Sequence, residues 1–134
     1  MLGRSALREK VFVLLFEAEF NDPEEMPEQA KLYLKESLTP VDDESAAYIE
    51  ERFKAVKEKQ EEEDELIAGV SSGWSIDRIG KIELSILRLA VYELKFDDSI
   101  PTGVAINEAV NLAKKYGQDG AGAFINGILA NFAS

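Results

Sequence analysis

The sequence predicts an all-α protein, folded as a single compact helical domain over residues 1–134. Three observations predict it. No run of four or more residues alternates apolar and polar with β-branched residues between turn signals, as a half-buried strand requires. Apolar residues recur instead at spacings of three and four, in segments separated by Pro, Gly and Asn-Asp breaks. Residues 81–95 form one segment that is apolar around roughly two thirds of its circumference, the pattern of a helix buried on several sides.

The elements follow in order. A first helix runs from about Ser5 to Phe20 and is ended by Asn21-Asp22-Pro23. A second covers about Glu24 to Ser37 and is closed by Thr39-Pro40. Asp42 or Asp43 caps a third, which continues with one break to about Val70. Its tract Glu58–Glu65 is expected to be a solvated helix face, because Leu66, Ile67 and Val70 follow at helical spacing. Ser71-Ser72-Gly73 breaks the chain, and Ser75 caps a short turn holding Ile76 and Ile79. The central helix spans about Lys81 to Lys95. Ile82, Leu84, Ile86, Leu87, Leu89, Ala90, Val91 and Leu94 make its apolar arc, and Lys81, Ser85, Arg88, Tyr92 and Lys95 its narrow polar stripe. Thr102 caps the next helix, which ends at Gly117 with Lys114 and Lys115 in its last turn. Asp119 caps the last, where Gly120, Ala121, Gly122, Ala123 and Gly127 leave room for another backbone.

Composition narrows the function. The chain has no Cys, so disulfides and thiolate metal sites are excluded, and no His, so the commonest general base and zinc ligand are missing. It has no glycine-rich phosphate loop after a strand. We expect no enzyme activity, no metal and no cofactor. No run is long and apolar enough to span a membrane and no signal peptide is visible, so the expected location is the cytoplasm, with no membrane partner. The net charge of −11 is unevenly spread. Residues 1–20 hold three basic and three acidic side chains, residues 21–73 six and sixteen, and residues 74–134 six and seven. A uniform charge of this sign would oppose nucleic acid, but a segregated one leaves basic edges at both ends of the chain.

Several residues have two readings. Arg4, Arg8, Phe12, Phe16 and Phe20 stand four apart on the first helix, beside a core stripe of Leu7, Val11, Leu14, Leu15 and Ala18. Either the phenylalanines widen the core and the arginines cover its edge, or the stripe offers arginines to phosphate and rings to bases or a partner. Glu83 falls inside the apolar arc of the central helix. It is either a first-turn acid favoured by the helix dipole or a carboxylate presented to a partner. Lys114 and Lys115 either complement the helix dipole or bind phosphate. Arg88 is expected to pair with a neighbouring helix, and Asn107, Glu108 and Asn126 to form a polar layer between the last two helices.

One pattern goes further. Trp74, Arg78, the run Ile86-Leu87-Arg88-Leu89-Ala90-Val91-Tyr92-Glu93-Leu94, Ile100-Pro101, Ala105-Ile106-Asn107-Glu108-Ala109-Val110, Leu112-Ala113-Lys114-Lys115-Tyr116-Gly117 and Phe124-Ile125-Asn126-Gly127-Ile128-Leu129 occur in one order and spacing. Together they resemble the NusB family, the bacterial transcription antitermination factors. The resemblance is specific over residues 74–129, weaker over 4–20 and absent from roughly 21–70. It implies about seven helices arranged as two packed helical halves. It also implies binding of boxA leader RNA together with NusE, a small-subunit ribosomal protein, within the RNA polymerase antitermination complex that transcribes ribosomal RNA operons to completion. The family's basic RNA-contacting segment falls on Arg4 to Glu9, where a denser arginine run is represented by Arg4 and Arg8. The aromatic that follows, commonly tyrosine, is Phe16. Phe124 joins the RNA-binding set, with Ala123 where lysine is common, and Glu83 matches an acid implicated in binding NusE. The expected RNA-binding residues are thus Arg4, Arg8, Lys114, Lys115 and Phe124, and the expected partner-binding residues Phe12, Phe16 and Glu83. The competing expectation is a protein–protein module, a homodimer that hides the same surface and does not bind RNA by itself. Whether the chain is a monomer or a homodimer stays open.

Overall fold

A computed structural model describes residues 1–71 and 73–133. Ser72, the middle of the expected Ser-Ser-Gly break, lies outside them. The described residues form seven α-helices and two short 3₁₀ turns, with no strand among them. They divide into two compact units, Met1–Lys57 and Glu58–Ser134.

The first unit holds α1 (Arg4–Glu17), α2 (Met26–Lys35) and α3 (Asp43–Glu58), whose last residue is the first of the second unit. Asn21-Asp22-Pro23 separates α1 from α2, and a second proline stands in the first turn of α2, where its missing N–H costs nothing. Leu7, Val11, Leu14 and Leu15 of α1, Met26, Ala30 and Leu34 of α2, and Ile49, Phe53 and Val56 of α3 are all buried. Lys10 Nζ donates to Ser37 Oγ at 2.8 Å and lies 5.3 Å from the centre of the Tyr33 ring, which ties α1 to the end of α2. Asp42 starts α3: its carbonyl accepts the Ala46 amide at 2.9 Å. The Leu2 amide donates to Ser45 Oγ in the first turn of α3, also at 2.8 Å.

The second unit holds α4 (Gln60–Val70), a 3₁₀ turn at Ile76–Arg78, α5 (Lys81–Phe96), α6 (Thr102–Tyr116), α7 (Ala121–Leu129) and a closing 3₁₀ turn at Ala130–Phe132. The expected break in the long third helix falls at Lys59, where φ −100° and ψ 10° leave the helical region. After α4, Gly73 takes φ +88°, a left-handed conformation open to glycine at little cost, and Trp74 donates back to the Ser71 carbonyl. As its apolar arc predicts, α5 is the centre of this unit and packs against α4, α6 and α7. Pro101 precedes Thr102 and starts α6, while left-handed Gly120, not Asp119, occupies the cap position of α7. The α6–α7 pair packs closely through small residues: Ala109, Ala113 and Ala121 are buried, and the Lys114 stem lies over Gly122.

Two expectations change, and the expected pairing of Arg88 with a neighbouring helix holds. The acidic tract is not uniformly solvated. Glu61, Glu62 and Glu65 are exposed, but Glu63 is 0 % exposed, because it precedes Ile67 by four residues and shares its inward face. Asp64 pairs with Arg88 of α5, whose Nε and Nη2 reach its two carboxylate oxygens at 2.8 and 3.0 Å. The polar stripe of α5 is therefore buried at Ser85 and Arg88, with α4 supplying the counter-charge. Asn107 and Asn126 are exposed and form no buried layer.

Gly117 closes the α6–α7 corner by close approach, not by an unusual φ, which is −88°. A Cβ there would lie 2.5 Å from Ala121 Cβ and 2.8 Å from the Ala113 carbonyl oxygen. Both neighbours belong to packed helices, so neither can yield cheaply. Gly117→Ala is expected to cost about 1–3 kcal/mol of stability, as overpacked sites do. Thermal unfolding checks this; an unchanged melting temperature would mean the corner relaxes freely.

Candidate nucleic-acid and partner surfaces

On α1 the residues spaced four apart do not share one environment. Each step of four turns the helix by about 400°, so the stripe drifts by about 40° per step. By this angle Arg4 already points along the inward arc and is exposed because it is the first residue of α1, Arg8 (7 % exposed) and Phe12 (2 %) lie on that arc, Phe16 lies at its edge, and Phe20 (61 %) stands beyond the end of the helix at Glu17. The rings still touch in series: Phe12 and Phe16 have centroids 6.4 Å apart, and Phe20 meets Phe16 edge-on at 5.1 Å. Of the expected pairs, then, Arg4 is the arginine open to phosphate and Phe16 the ring accessible to a partner. Arg8 and Phe12 are withdrawn into the interior, where the wider core face needs them. For these two positions the burial favours the reading in which the arginine and the ring complete the core.

In the second unit, Glu83 stands in the first turn of α5 and is partly exposed. Its carboxylate folds back over its own helix cap, where a Cβ on Gly80 would meet Oε2 at 2.6 Å. Its other oxygen would be 3.5 Å from a Cβ on Gly117. Glu83 is thereby held between the start of α5 and the end of α6. The amides of the first turn favour its charge.

Lys114 and Lys115 are exposed in the last turn of α6, where they also complement the helix dipole. The stem of Lys114 rests on α7: a Cβ on Gly122 would lie 3.2 Å from its Cγ. Phe124 lies on the opposite edge of α7, about 200° around the helix from Gly122. It is half-buried and packs edge-on with Trp74, their centroids 6.0 Å apart and their planes at 77°. Trp74 is 50 % exposed. Sequence reasoning did not place Trp74 in a site, although it is the one tryptophan in the chain and stands beside a glycine break.

Among the described residues, no group of three or more Asp or Glu side chains could hold a metal ion. No helix there is long and apolar enough to cross a membrane.

The sequence profile of the NusB family matches residues 5–134. The chain belongs to the NusB family. It is 54 % identical over 132 residues to the transcription antitermination protein NusB of Agathobacter rectalis, covering 98 % of this chain and 100 % of that one. With the namesake from Lachnoclostridium phytofermentans it shares 47 % over 131 residues, 96 % of this chain and 97 % of the relative. Among solved structures it is similar to T. maritima NusB, at a TM-score of 0.84 and 34 % identity, covering 98 % of this chain and 91 % of that one. It is also similar to a chain in a crystal structure of the antitermination factors NusB and NusE in complex with dsRNA, at a TM-score of 0.80 and 28 % identity over 96 % and 94 % of the two chains. The family match extends through residues 21–70 and corrects the expectation that the resemblance is absent there.

Proposed function

We propose that the chain is a transcription antitermination factor. It binds boxA leader RNA together with NusE and promotes complete transcription of ribosomal RNA operons by RNA polymerase. It acts in the cytoplasm and catalyses no reaction. The observation that carries this reading is the family match over nearly the whole chain, with relatives named as transcription antitermination proteins. The solved complex of a related NusB with NusE and dsRNA supports the two partner classes.

The residues available for these partners follow from exposure. Arg4, in the first unit, and Lys114 and Lys115, in the second, supply charge for phosphate. Phe124, with Trp74 beside it, supplies aromatic faces on which an unstacked base can lie. Glu83 and Phe16 supply an acid and a ring for NusE.

Glu83→Ala tests the partner assignment. Truncating one member of a desolvated charge pair costs about 2–5 kcal/mol of binding, whereas a first-turn acid contributes about 0.3–1 kcal/mol to folding. Calorimetry should therefore show strongly weakened NusE binding with a nearly intact melting curve. Phe16→Ala should weaken binding too, by about 2 kcal/mol or more if the ring is central to the interface, with a larger stability loss because that ring is half-buried. Unchanged NusE affinity in folded Glu83→Ala would remove the acid from the interface. Absent NusE binding, with a homodimer broken by both changes in sedimentation, would overturn the RNA-and-NusE reading itself.

A further inference from the structure

We infer that Ser45 and Asp42, at the start of α3, are positioning residues for RNA binding: they pin the backbone just ahead of α1 and so hold Arg4 where it meets phosphate. The inference rests on the reading of Arg4 as a phosphate contact. Arg4 is the first residue of α1, and that helix begins without a side-chain cap, at Gly3. A helix start of this kind frays, because its first amides have no partner within the helix. What holds it is tertiary. The Leu2 amide, two residues before Arg4, donates to Ser45 Oγ at 2.8 Å. Ser45 is fully buried, which shields its end of this bond from water. The Ser45 hydroxyl in turn donates a hydrogen bond to the Asp42 carboxylate, the main cause that holds the Asp42 carboxyl below its usual value. With its hydrogen committed to Asp42, the hydroxyl presents its lone pairs to Leu2. Asp42 Oδ2 also lies 3.4 Å from the Met1 ammonium, so the relay Asp42–Ser45–Leu2 and this ion pair together fix where the chain enters α1, and an exposed arginine whose backbone is already ordered loses less freedom on meeting RNA.

Simple electrostatics predicts the opposite effect for Asp42. It is an exposed acid, and removing a negative charge near an RNA contact should strengthen binding. The positioning role predicts weakening, so the sign of the effect discriminates.

The test uses labelled single-stranded boxA RNA with NusE present and compares wild type, Arg4→Ala, Ser45→Ala, Asp42→Ala and Arg4→Ala/Ser45→Ala over a range of salt. Arg4→Ala should lower the log–log salt slope by about 0.7, the loss of one single-strand phosphate contact. Ser45→Ala and Asp42→Ala should weaken binding and lower the slope in the same direction, and the double variant should bind no worse than Arg4→Ala. Amide exchange at Leu2 should quicken in both relay variants. Should Ser45→Ala fail to fold, Asp42→Ala decides, since that side chain is about half exposed. If Arg4→Ala lowers the slope while Asp42→Ala binds RNA as tightly as wild type or tighter, the relay has no positioning role. If Arg4→Ala leaves slope and affinity unchanged, it is the phosphate-contact reading of Arg4 that fails, and the inference falls with it.

Discussion

Asp64→Ala is expected to destabilise the protein by about 3–5 kcal/mol, the range for removing one partner of a buried ion pair. Arg88 sits in the middle of α5 with its side chain only 8 % exposed, and its guanidinium meets Asp64 through two parallel hydrogen bonds. A guanidinium cannot shed its charge to escape the interior. Truncating the carboxylate therefore leaves a buried cation without its main counter-charge. Asp64→Asn, which keeps one acceptor oxygen but no charge, should fall between wild type and the alanine variant. Urea denaturation gives the values through the shift of the midpoint. A loss under about 1 kcal/mol for Asp64→Ala would mean that the pair behaves like a solvated surface bridge.

Leu87→Ala is expected to cost about 2–5 kcal/mol by the same measurement. Leu87 is 0 % exposed on α5, the helix that α4, α6 and α7 all touch. Truncation there opens a cavity walled by several helices, and a cavity that cannot collapse carries the upper end of the penalty. Since whole domains are stable by only about 5–15 kcal/mol, either variant should visibly shift the unfolding transition. A loss below about half a kcal/mol would mean that α5 is not the centre of its unit.

The contrast between these two residues shows what the sequence could and could not reveal. Leu87 was legible because helical periodicity alone places it on an apolar arc too wide for a surface helix. The Arg88 partner was not. Asp64 stands 24 residues earlier in a run of acids, and which of them faces α5 depends on how two helices pack, not on either alone. Glu63 was partly legible: its spacing of four from Ile67 puts it on the inward side, but the density of acids around it reads as solvent. On α1 the winding four-residue stripe was legible but the helix ends were not, and this is why Arg8 and Phe12 are interior while Arg4, the first residue of the helix, and Phe20, past its end at Glu17, are exposed. The helix end at Gly117 was read well, where backbone chemistry is local, whereas α1 stops at Glu17 rather than Phe20, α2 starts at Met26 rather than Glu24, and Pro101 rather than Thr102 takes the cap position of α6. Asp119 was a reasonable cap by residue type, but the chain turns one residue later through left-handed Gly120. The Leu2–Ser45 bond carries no sequence signal, because a serine in the first turn of a helix reads as ordinary helix-start chemistry.

The central claim, that this family member binds RNA jointly with NusE, is tested most directly by one titration. Labelled boxA RNA is titrated with the protein alone, with NusE alone and with both together, at fixed salt. We expect weak binding by this protein alone, because α1 exposes a single arginine, Arg4, and clearly tighter binding by the two together. Scrambling the RNA sequence should abolish the gain. Equal affinity with and without NusE, or no RNA binding by the mixture, would contradict the claim.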